Sequence, residues 1–210
     1  MPVLTSSEMK GCLMPSLRIY TGDIVSAIQL LEEYFCKGGV SIVQAAFAHS
    51  YFVHPDKVRA KTPYYPDRAH TSREHYRGHG RGDCAIWHGD GRDVRLSNNQ
   101  PAQNAWKGYT GHPIARRSGY EMRHIWGNNW NPDAFTAGWN LLYMPFWASM
   151  PTKEQHEHPQ LAQAFRQASW DIYFKDNPVC KPPDFVSNPN LDLESILDGQ
   201  PVLILDTQQR

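Results

Sequence analysis

Apolar residues recur at helical spacing in two separate stretches of the chain. In Asp23–Tyr34, residues Ile24, Ala27, Ile28, Leu31 and the Tyr34–Phe35 pair fall on one face, and Gly38–Gly39 ends the pattern. In Pro159–Phe174, residues Leu161, Ala164, Phe165, Ala168 and Ile172 do the same, with Pro159 at the first turn. Between them the period shortens to two. Tyr120, Met122 and His124 alternate with Glu121, Arg123 and Ile125, which predicts a short strand. The spacing predicts a second strand over Trp139–Met144, stopped by Pro145, with Gly127–Gly138 as an Asn-, Pro-, Asp- and Gly-rich loop. Short strands are also expected at Cys84–Trp87 and Asp93–Leu96 around the turn His88–Gly91, and a last one at Pro201–Asp206. Val40–Val53 is apolar and rich in small residues. It reads as core, with helix and strand not separable. The expected fold class is α+β.

Weak periodicity and abundant Gly, Pro, Arg, His and Asn mark Pro55–Gly119 as long loops with short strands, of the kind that carries function. Four segments result: 1–55 (helix and core), 56–118 (basic and loop-rich, expected to contact nucleic acid), 119–176 (the strand–strand–helix unit) and 177–210 (an extension). At 210 residues one domain with a sizeable core is expected. The net charge is zero, but from Tyr51 to His124 there are 13 Lys and Arg against 7 Asp and Glu, with seven of the ten histidines. A basic middle in a neutral chain suits a localised phosphate-binding surface, although charge alone fits an ordinary solvated face slightly better. Cys12, Cys36, Cys84 and Cys180 are scattered, which argues against a zinc ribbon and fits reduced thiols in a cytosol. No apolar run approaches a membrane span, and Met1–Gly11 lacks the marks of a secretory signal. A cytoplasmic protein with no membrane partner is expected.

Phosphodiester hydrolysis needs a base for water, a cation for the developing charge and groups that hold the phosphate. His124, at the end of its strand, is the candidate base, because imidazole titrates near neutral pH. Asn140 on the partner strand can brace the intervening loop. His156 and His158 can bind a divalent ion through neutral ring nitrogens. Their spacing does not share a helical face, but it suits an extended approach to the helix. His112 is the next candidate base.

The segment GYEMRHIWG, then the Asn-Leu of GWNLLYMP, then HEHP before a helix, resembles the HNH, or His-Me finger, nucleases, most closely their AHH branch. The resemblance covers Arg117–Phe174, about a quarter of the chain, and rests on order and context. It implies a ββα-metal core, here with an N-terminal helix and long basic loops. His124 and Asn140 would be catalytic, and one divalent ion (Mg²⁺ or Mn²⁺, with Zn²⁺ the alternative) would sit at His156 and His158. Arg116, Arg117 and Arg123 would contact nucleic acid, with double-stranded DNA the expected substrate. The setting would be restriction, phage defence or an interbacterial toxin. Two departures stand out. Arg123 occupies a position that is often His or Asp in the family, which shifts the metal toward His156 and His158. The span from Asn140 to His156 is longer than in the compact motif, so Phe146–Gln155 must be an insertion or an extended approach to the helix.

Other readings compete. A histidine beside Ile and Trp is more often a hydrogen-bonded core residue, and only Asn140 and HEHP reverse that for His124. Trp126, Trp130, Trp139 and Trp147 read as core and loop anchors. His75, His79, Cys84 and His88 hold enough donors for a zinc site, but a basic nucleic-acid loop is the preferred reading. A catalytically inactive nucleic-acid- or partner-binding protein on the same scaffold is the alternative function, and a metal-dependent hydrolase of another substrate is a weaker third. Cleavage of palindromes would imply a homodimer.

Overall fold

The computed structural model describes residues 27–115, 117–152 and 158–206. Helix α1 (Ala27–Lys37) ends at the Gly38–Gly39 turn, where Gly39 takes a positive φ of 77°. The undivided apolar stretch after it resolves into a helix and a strand. Ser41 and Gln44 form a capping box that starts α2 (Ile42–Phe47), and β1 (Tyr51–Val53) follows.

The basic segment is more regular than its composition predicts. It holds α3 (Pro55–Ala60), β2 (Arg68–His70), β3 (Cys84–Ile86), β4 (Asp93–Ser97) and α4 (Gln100–Thr110). Both expected strands around His88–Gly91 are present and pair antiparallel. The unexpected elements are the helices α3 and α4, of which α4 is the longer. Pro101 lies in its first turn, and Ala102, Ala105, Trp106 and Tyr109 form its buried face.

Strand β5 (Tyr120–His124) lies where alternation placed it. A short helix, α5 (Pro132–Phe135), opens within the following loop. The second strand begins later than expected. Gly138–Asn140 is a 3₁₀ turn and β6 runs Leu141–Pro145, so Asn140 precedes the strand instead of lying in it. Gly138 is required there, because a Cβ would come within 2.6 Å of the buried Val58 Cγ2. Helix α6 (Phe146–Ser149) and a 3₁₀ turn at Met150–Thr152 fill part of the long span before the last histidines. Helix α7 (Pro159–Trp170) is shorter than its apolar pattern, which continues as a π-helical turn over Asp171–Lys175. Helix α8 (Leu193–Leu197) and β7 (Leu203–Leu205) complete the described chain.

The architecture is mixed α+β with two small sheets. One has the order β5-β6-β1-β7, antiparallel except for β1 with β7. Its β5–β6 register pairs Tyr120 with Pro145 and His124 with Leu141. The other has the order β2-β4-β3, with β2 parallel to β4. The main core lies over the first sheet, where Phe165 of α7 stacks on Phe47 at 4.5 Å and meets Phe52 of β1. A smaller core, with Tyr76, Trp87, Val94 and Leu96, belongs to the second sheet and takes Trp130 against it. No helix among the described residues is long and apolar enough to cross a membrane.

Candidate functional site

The two ends of the β5–β6 connection are joined by one buried side chain. Asn140 is 0% exposed, and its Oδ1 accepts from the Trp126 amide at 2.8 Å. Its Nδ2 donates to the carbonyls of Gly127 at 3.0 Å and Ala134 at 3.1 Å. The Ile125 amide donates to the Asn140 carbonyl at 2.9 Å. A side-chain amide has one acceptor and two donors, and all are matched to the backbone of this connection. Gly127 (φ 63°) and Asn128 (φ 50°) make the sharp reversal after β5.

Helix α7 fixes the same connection from below. Ser169 Oγ accepts from Trp126 Nε1 at 3.0 Å and donates to the Trp139 carbonyl at 2.9 Å. From the other side, the His70 amide donates to Asn129 O at 2.9 Å and the Tyr76 hydroxyl to Trp130 O at 2.7 Å. Arg92 pairs with Asp133. Trp126 and Trp139 are therefore core and loop anchors, and Trp130 stacks on His75 at 3.5 Å.

His124 is half-buried at the end of β5, stacked on Phe135 with ring centroids 5.7 Å apart. Its Nε2 lies 2.9 Å from the Phe135 carbonyl. A carbonyl only accepts, so Nε2 carries the hydrogen and Nδ1 is the basic nitrogen. Desolvation pushes the ring's pKa down to about 4. The hydrogen bond to the Phe135 carbonyl opposes this, and the electrostatic influence of Arg123 and His70 adds to it. His124 is thus neutral at pH 7. Between pH 6.5 and about 4 the unfolded chain binds a proton here that the folded chain refuses, so stability falls as pH falls through that window. The loss is expected to reach about 3 kcal/mol. Urea unfolding measured across pH checks this, and a His124→Gln variant should flatten the profile. An equally steep profile in the variant would assign the effect to other groups.

The two metal candidates fare differently. His156 lies outside the described residues, as does Arg116. His158 is the N-cap of α7, its Nδ1 accepting from the Leu161 amide at 3.2 Å. Its Nε2 therefore bears the hydrogen and donates to Glu32 Oε1 of α1 at 2.7 Å. Both ring nitrogens are engaged. Among the described residues no three His, Cys, Asp or Glu side chains gather as a metal site, and that includes His75, His79, Cys84 and His88. His158→Ala should cost about 1–2 kcal/mol through the lost cap and carboxylate bond. The metal concentration needed for any activity should not change. A shifted metal requirement at unchanged melting temperature would restore His158 as a ligand.

Arg117 is exposed with a positive φ of 62°, whereas Arg123 is part-buried on β5 beside His124. His112 is exposed at the end of α4. Sequence reasoning passed over Phe135 and His70. Phe135 acts through its backbone carbonyl, which carries no signal in residue type. His70 comes near only because β2 runs beside α5, with its ring 6.0 Å from Phe135.

A family model described as uncharacterised protein PM1201 matches residues 91–188, a span that runs from the turn before β4 past α7. It includes His124, Asn140 and His158. No curated protein and no solved structure matches the chain.

Proposed function

We propose that this chain is a phosphodiester-cleaving endonuclease of the His-Me finger kind, acting on double-stranded DNA. The observation that carries the reading is the Asn140 clamp. An asparagine after a histidine-ended strand, with its amide oxygen and both amide hydrogens bonded to the intervening loop, supplies the rigid mount that a base needs. The antiparallel β5–β6 pair followed by α7 supports a ββα core.

In this reading the His124 Nδ1 takes a proton from water as the water oxygen bonds to phosphorus. The P–O bond to the leaving oxygen breaks, and that oxygen takes a proton from solvent water and leaves as the alcohol, while His124 later returns its proton to solvent. Arg117 and Arg123 hold phosphate oxygens by charge-assisted hydrogen bonds, with Arg116 assigned the same part. A divalent ion, Mg²⁺ or Mn²⁺ with Zn²⁺ as alternative, belongs to the proposal and would neutralise developing charge. The described residues do not fit it, since His158 is committed to Leu161 and Glu32.

The test is nicking of supercoiled plasmid by the purified protein with Mg²⁺ or Mn²⁺ and with chelator. Metal-dependent nicking that His124→Ala loses, with duplex binding retained, is the expected result. Retention of binding without any nicking would instead support an inactive nucleic-acid-binding protein. The packing of His124 on Phe135 favours that second reading, because an enclosed, hydrogen-bonded imidazole is also what a structural histidine looks like.

A further inference from the structure

The second sheet carries a basic cavity that is no part of the His124 site. Register pairs Arg68 of β2 directly with Arg95 of β4. Like charges set side by side on neighbouring strands repel, so this pairing costs stability unless something negative lies between them. A third guanidinium, from Arg81, lines the same cavity of about 350 Å³, together with Asn98, Gln100 and Asn104. Arg81 is placed by the backbone beside it. Gly82 N donates to Leu96 O at 2.8 Å and Leu96 N to Asp83 O at 2.8 Å.

Counter-charge is sparse. Arg68 has Asp67 at 3.3 Å, and among the described residues neither Arg81 nor Arg95 forms an ion pair. Both are exposed. The amide groups lining the cavity add neutral donors, and the first turn of the 11-residue α4 adds positive partial charge.

We infer that Arg68, Arg81 and Arg95 form a phosphate-binding pocket that grips the nucleic-acid backbone away from the scissile bond. The inference rests on the nucleic-acid substrate proposed above. A polymer is favoured over a free anion by what adjoins the cavity. Arg68 and His70 share one face of β2, roughly 6 to 7 Å apart along the strand. His70 meets Phe135, and Phe135 stacks on His124. Phe135 is fully buried, so these contacts join the two sites through the core, and a chain with a phosphate at every residue, unlike a free anion, would bridge them over the surface.

The experiment is fluorescence anisotropy of a labelled DNA duplex in chelator, titrated at several salt concentrations, so that binding is read without cleavage. The Arg81→Ala/Arg95→Ala double variant should bind at least about tenfold more weakly, with the log–log salt slope reduced by about 2. Arg81→Lys/Arg95→Lys, which keeps the charge, should recover most of that slope. Recovery would exclude misfolding as the cause. An unchanged slope in the alanine variant overturns the pocket, as does failure of the wild type to bind duplex at low salt. Orthophosphate that binds the wild type but not the double variant, with duplex affinity unchanged, overturns the polymer assignment. Normal nicking with an unaltered slope would sink the pocket and keep the nuclease. The expected slopes without any nicking would keep the pocket and sink the nuclease.

Discussion

Asn140→Ala should destabilise the protein by about 3 kcal/mol or more, because each buried polar group left unmatched costs roughly 1–3 kcal/mol. Two such groups would be orphaned, the Trp126 amide and the Gly127 carbonyl, whereas the Ala134 carbonyl still accepts from the Thr136 and Ala137 amides. Asn140 is completely buried, so water cannot replace the lost partners without opening the core. Asn140→Asp keeps the acceptor for Trp126 and removes both donors, so its loss should be comparable or larger, with a charge now enclosed. Equilibrium urea unfolding provides the measurement. A loss below about 1 kcal/mol in the alanine variant would mean that the loop is held by its other ties, and the assignment of Asn140 as its brace would fail.

His124→Ala should lower plasmid cleavage by about 100-fold or more, the scale of lost general-base catalysis. The acid limb of the wild-type pH–rate profile should lie near 4 instead of 6.5, because protonation of the enclosed ring is what removes the base. A ring of such low basicity takes a proton less readily than an ordinary imidazole, but it is fully in the reactive form at neutral pH. Near-normal cleavage by the alanine variant would move the base elsewhere, with His112 next. An acid limb near 6.5 with activity lost in the variant would show that substrate or metal raises the pKa of the ring.

The sequence was most legible where side-chain periodicity met a single buried face. Strand β5 and helix α7 were found because Tyr120–His124 alternates and Leu161–Ala168 repeats at helical spacing. Helix α4 has the same spacing, but two of its buried positions are alanine, and Pro101 and Gly108 lie within it, so the pattern read as loop. Spacing places the start of β6 too early because Trp139 and Asn140 are buried by a 3₁₀ turn, which hides side chains as effectively as a strand does. His124 and Asn140 were legible as residue types in order. The bonds that define them go to backbone carbonyls and amides, which any residue supplies. The Arg68–Arg95 pairing was beyond reach for a different reason. It depends on a parallel register that pairs residues 27 positions apart, and charge counts along the chain hold no register.

The connection between β5 and β6 is tied to α7, to the second sheet and to itself. A free loop of this length would sample many shapes, and each encounter with a ligand would have to select one of them. Here that ordering is met once, during folding, and is shared with the core. Ligand arriving at His124 would find the imidazole already oriented, so affinity gained there would not be spent on restraining the chain. The same economy makes the loop intolerant. A substitution at Ser169 or Tyr76, far from any proton transfer, would release conformations that compete with the poised one.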